Sequence, residues 1–184
     1  ENQNNPSGGL TFATPATVYR YTGAAGGNWE VGGSWDQGTF PDAFTHRAVV
    51  PGPGGPVLNT GIDLESLSIE SGGVVDLGGS TLNVVTGEIE NQGTIIYSGT
   101  FDFLSNNDTY SGTSLYTAGT GIIDFGDEDY YDLTIDGPYL IPNGPIHVMG
   151  DLTINGTGTV DLAGETMIVE GSVSGTGTLV VSGG

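Results

Sequence analysis

The chain is 184 residues long, with 34 Gly, no Cys and no Lys; two basic residues, Arg20 and Arg47, stand against 22 Asp and Glu, for a formal charge of −20. That balance argues against nucleic acid and against anionic membrane surfaces, both of which need Lys and Arg to displace counterions. Without Cys there are no disulfide staples, and no apolar run of about 18 residues exists to insert in a membrane.

Residues 1–9, ENQNNPSGG, are polar and rich in Gly, Pro and Asn. Residues 10–20, LTFATPATVYR, hold a lone strand pattern interrupted by Pro15. Together residues 1–20 are expected to form an extended N-terminal arm. The chain opens on Glu1 rather than Met, which reads as a mature exported form with its targeting segment removed. Residues 21–56 are Gly-rich and carry Trp29, Trp35, Phe40 and Phe44, then PGPGGP at 51–56. This is the composition of a cap, with bulky rings covering the bare end of a stack. Exposed, the same Trp pair would be a platform for stacking sugars.

From Val57 to Gly184 the pattern is a repeat. Residues 67–85, LSIESGGVVDLGGSTLNVV, align without a gap on 152–170, LTINGTGTVDLAGETMIVE, with 9 of 19 positions identical. One deletion further on, GEIENQGTIIYSG (87–99) lies over GSVSGTGTLVVSG (171–183). A shorter period runs inside this one. Leu133-Thr134-Ile135 recurs 19 residues on as Leu152-Thr153-Ile154, Val75-Asp76-Leu77 is followed 20 residues on by Ile95-Ile96-Tyr97, and Leu82-Asn83-Val84 is matched to Phe101-Asp102-Phe103, 19 on. Apolar–polar–apolar triplets are short strands with one buried face, and the Gly, Asn, Asp and Ser between them supply corners. The expected fold is all-β: a parallel β-helix (β-solenoid) of about 20 residues per coil, with an aromatic-rich cap and an N-terminal arm. A sandwich of antiparallel hairpins is the competitor, and periodicity near 20 residues disfavours it.

The opening YRYTGAAGGNWEVGGSWDQGTFPDAFTHRAVVPGPGG, followed by SLSIESGGVVDLGGSTLNVVTGEIENQGTI, resembles β-solenoid modules of large secreted surface and adhesin-like proteins of Bacteroidota-type bacteria. The resemblance covers roughly residues 18–99 and reaches 132–184 through the repeat. It implies an extracellular, surface-associated structural or adhesive role.

No catalytic constellation stands out, and no enzymatic activity is expected. Asp76 and Asp161 are repeat equivalents, and His46 and His147 lack metal-ligand spacing. The densest acidic run, DFGDEDYYD, places Asp124, Asp127, Glu128, Asp129 and Asp132 together as a candidate Ca²⁺ loop or a solvated acidic turn. Arg20 and Arg47 are expected to pair with carboxylates, within the chain or across a subunit contact. The rungs run out on LVVSGG with an open edge, and free edges invite another strand. The functional expectation is an extracellular structural protein whose partner is itself. It would be a surface filament subunit, joined head to tail by coil stacking and by strand addition from the arm. Leu10, Phe12, Val18, Tyr19 and Arg20 would meet Leu179, Val180 and Val181. The alternative is an adhesin module that binds surface glycans or Ca²⁺.

Overall fold

A computed structural model describes residues 15–99, 103–104, 108–117, 121–122, 129–137, 140–141 and 144–181. The fold is the expected β-solenoid, with strands paired in parallel and coils of about 19 residues. Three faces wind in a fixed order. Face 1 holds β1 (Thr17–Arg20), β2 (His46–Val50), β4 (Ser66–Ile69), β7 (Ile89–Asn91), β12 (Asp129–Tyr130), β15 (Ile146–Val148) and β18 (Met167–Val169). Face 2 holds β5 (Val74–Asp76), β8 (Thr94–Tyr97), β10 (Thr113–Tyr116), β13 (Asp132–Ile135), β16 (Leu152–Ile154) and β19 (Val173–Gly175) as one six-stranded sheet. Face 3 holds β3 (Ile62–Leu64), β6 (Thr81–Val84), β9 (Phe103–Leu104), β11 (Gly121–Ile122), β14 (Leu140–Ile141), β17 (Thr159–Asp161) and β20 (Thr178–Val180). Face 1 is interrupted between β7 and β12, where Asp108 and Ser111 bond to Asn91 instead of a strand.

Face 2 gives the clearest column: Asn28, Val57, Asp76, Ile96, Leu115, Thr134, Thr153 and Ser174 pair in sequence, seven ladder steps in all. The first step spans 29 residues and the second 19. The surplus in the first is the cap, a loop from about residue 30 to 45 that carries Trp35 and folds back over the first coil.

Each strand buries alternate residues, so the core is a set of apolar columns running along the axis. Val75, Ile95, Leu133 and Leu152 belong to one, in which the buried Ser114 stands between Ile95 and Leu133, and Leu67 and Ile69 lie in two others. Beside them Tyr97 and Tyr116 stack at 4.1 Å, and the Tyr116 and Tyr130 hydroxyls meet at 3.0 Å. Buried hydroxyls in an apolar column are kept by such mutual bonding.

The expected pairings of Val75 with Ile95 and of Leu133 with Leu152 are found. That of Leu82 with Phe101 is not: Leu82 pairs with Leu104, 22 residues on. Four residues, 85–88, turn the corner between β6 and β7, where one residue suffices between β3 and β4. Constant spacing therefore misplaces the triplet. The long repeat also falls out of step with the faces. Its first copy runs β4, β5, β6 on faces 1, 2, 3; its second runs β16, β17, β18 on faces 2, 3, 1. The second copy is thus turned by one face about the axis.

Candidate assembly surface

The two ends of the stack differ. At the first coil, Trp29 and Trp35 pack edge to face at 4.7 Å, and Tyr21 meets Trp35 at 5.2 Å. Trp29 Nε1 donates to Pro41 O at 3.0 Å, and Trp35 Nε1 donates to Trp29 O at 2.8 Å. Both indoles are buried, which makes them cap and core and removes them as a sugar-stacking platform. The outer edge of β1 is closed by the chain itself. Asp36 N–H donates to Arg20 O, Arg20 N–H to Asp36 Oδ1, Thr22 N–H to Ser34 O, and Gln37 Nε2 to Val18 O. Glu30 then covers the start of face 3, accepting from the N–H groups of Asn59 and Thr60 at 2.8 and 2.9 Å and from Asn59 Nδ2 at 3.0 Å. Burial works against its charge, but these donors outweigh it and hold the carboxyl below the ordinary range.

The last described coil, β18 to β20, is bare. Val173 is 60% exposed, whereas its column mate Leu152 is fully buried; Leu179 is 39% exposed above Val160 at 1%. These are core positions with no described residue stacked on them. Among the described residues their backbone groups have no ladder partner on that side. Leu152 N–H takes Ser172 O, Thr178 N–H takes Gly158 O, and Leu162 N–H takes Val180 O. Groups that bond back into the stack thus sit at 172, 178 and 180. Backbone direction alternates along a strand, so the N–H and C=O of Val173 and Leu179 point off the end. Inward side chain and outward-facing backbone coincide at the same residues, as a further rung requires.

The predicted assembly residues divide accordingly. Leu179 and Val181 lie on this bare surface, and Val180 is the half-buried outward residue between them. Met167, Val169 and Val173 belong to it too, and the sequence reading missed them. The available signal was their inward place in the last triplets. At the other end, Thr17–Arg20 is the first rung of face 1 rather than part of a free arm. Tyr19 is buried, with its hydroxyl 3.3 Å from His46 Nε2, so it is not available to another chain. Val18 faces solvent. Arg20 forks onto Glu70 at 2.8 and 2.9 Å, and Arg47 reaches Glu65 at 2.6 Å, so both cations find partners within the chain. The Arg20 guanidinium holds the Glu70 carboxyl below its ordinary value. Leu10 and Phe12 lie outside the described residues.

Of the candidate Ca²⁺ ligands, Asp124, Asp127 and Glu128 also lie outside them. Asp129 Oδ1 is 3.8 Å from His147 Nδ1, and Asp132 Oδ1 accepts the Asp151 N–H at 2.8 Å. Among the described residues no group of three or more acidic or His side chains is placed to hold a metal. Asp76 and Asp161 stand on faces 2 and 3 and are occupied with corners: Asp76 Oδ1 accepts from Gly78 N–H and from Ser98 Oγ, and Asp161 Oδ1 accepts from Ala163 N–H. An open cleft of about 560 Å³ crosses face 1 between Val18, Arg47, Glu65, Ser66, Thr86 and Glu88, and Tyr110, 86% exposed, borders its continuation. No protein-family model, curated protein or solved structure matches the chain.

Proposed function

We propose that this protein is an extracellular structural subunit that self-assembles through the bare end of its solenoid into a surface filament. The observation that carries the reading is the contrast between the ends: aromatic residues and self-pairing shield the first coil, while core positions and free backbone groups are left uncovered on β18 to β20. A surface of that kind is completed by another strand. A contact between unlike ends does not close on itself, so it propagates. Because the edge of β1 is already taken, strand addition in the head-to-tail scheme falls to residues upstream of Pro15.

Electron microscopy and sedimentation of the purified chain test this directly. Uniform fibres are expected, together with their loss in a Val173→Lys/Leu179→Lys variant whose circular dichroism is unchanged. Monodisperse monomers at all concentrations would end the proposal. The adhesin reading has one observation in its favour, the cleft on face 1 with Tyr110 at its border. Glycan-array binding that is lost in Tyr110→Ala would favour it instead.

A further inference from the structure

Among the described asparagines, Asn155 is the one followed by glycine. The side chains of Asn59, Asn83 and Asn91 are held by Glu30, by Asp63 and by the Gly93 N–H. That of Asn155 has no hydrogen-bond partner among the described residues. Asn155 is half-buried at the corner after β16, where Gly156 and Thr157 are exposed. Gly156 has φ +44° and open space where a Cβ would stand, so no side chain shields its nitrogen from the neighbouring carboxamide. We infer that Asn155-Gly156 is a self-modifying site, at which the Gly156 nitrogen closes on Asn155 Cγ and converts the asparagine to aspartate or isoaspartate, at a rate governed by Thr176 of the next coil.

Ring closure joins Gly156 N to Asn155 Cγ and breaks the bond from Cγ to the amide nitrogen. The hydrogen on Gly156 N leaves with that nitrogen as ammonia, and a cyclic imide remains. Water then opens the imide at either carbonyl, which gives aspartate or isoaspartate with nothing oxidised or reduced. The step requires Gly156 to surrender its N–H. That N–H donates to Thr176 Oγ1 at 3.1 Å. On either side the backbone is pinned, by Asn155 N–H on Ile135 O at 2.8 Å and by Gly158 N–H on Asn155 O at 2.6 Å. The coil stacked above therefore occupies the attacking nitrogen and slows the reaction. The product bears on the coil below. Ile135 pairs with Ile154, so Asp136 and Asn155 follow one above the other, and the new carboxylate stands about 4.8 Å along the axis from Asp136. Like charges on neighbouring rungs weaken the stack. In the first copy of the long repeat the same corner reads Glu70-Ser71, with Glu70 fastened to Arg20, so this chemistry is confined to the second copy.

The test ages the full folded chain in buffer from neutral to mildly alkaline pH and maps it by mass. An endoprotease that cuts ahead of aspartate releases residues 151–160, in which Asn155 is the one asparagine, and leaves the Asn143-Gly144 pair in 136–150. Fragment 151–160 should gain the mass of an NH-for-O exchange, at a rate that rises in proportion to hydroxide. The chain unfolded in urea should react faster than the native one. Thr176→Val, with circular dichroism unchanged, should speed the native reaction about fivefold by removing the acceptor. Thr176→Ser keeps a hydroxyl there and should keep the parental rate. No mass gain in 151–160, or a native rate equal to that in urea, would overturn the inference. A rise that Thr176→Ser shares with Thr176→Val would trace to loosening of the coil and overturn the role of Thr176, as would no rise in either. These readings are independent of whether the chain forms fibres.

Discussion

Single residues at the corners set the local cost of each turn. The corner after β5 uses Gly78 and Gly79, at φ +58° and +86°; its repeat equivalent after β17 places Ala163 at φ +49° before Gly164. A side chain in the left-handed region costs about 1 kcal/mol. Ala163→Gly is therefore expected to raise stability by about that amount in denaturant titration, against the usual loss for Gly. Glu30 makes a different local prediction. Its carboxyl is held below the ordinary value of 4.5, so its stabilising effect is complete above that value and is lost as pH falls through the lower folded value. Fluorescence of Trp29 and Trp35 should report an acid loosening of the cap below about pH 4.5. In Glu30→Gln that acid step should be largely absent, with the cap weaker by about 1 kcal/mol at neutral pH.

Strands are where the sequence was most informative. Triplets such as Leu133-Thr134-Ile135 announced both their conformation and their partner, because a buried column repeats the same residue types one coil away. Neither the Leu82 register nor the reach of the cap could be read this way. Each depends on corner length, and Gly-rich corners accept one residue or four with no change in the flanking pattern. For the candidate site, Leu179 and Val181 were legible as the run-out of the rungs, while Val173 looked like any other core residue. Tyr19 was misjudged because a half-apolar strand reads the same whether its ring packs inward or outward. The cap itself is a dense element: Trp29 is fully buried, touches Trp35 and bonds to Pro41. Trp29→Ala should cost about 3–5 kcal/mol, measured as a lowered urea midpoint with the repeat's circular dichroism retained.

At the scale of the whole rod, charge opposes association. Each chain carries −20, so the fibres proposed above would bring like charges together end to end. Raising salt from about 0.01 to 0.15 M shortens the screening length from about 30 to 8 Å, and fibre growth should speed up accordingly in light scattering. Deletion of residues 1–12 should abolish growth at any salt while leaving the monomer's circular dichroism largely intact.

The one-third turn between the two copies of the long repeat has a consequence for how such rods lengthen. Since the later unit fits although shifted by a side of the prism, the interchangeable brick is a single strand with its bend, and not a full winding. Duplication in the gene need not respect whole turns to yield a product that folds. It follows that decoration copied along with a brick ends up pointing another way around the axis, spreading surface features over the flanks of the rod rather than lining them up.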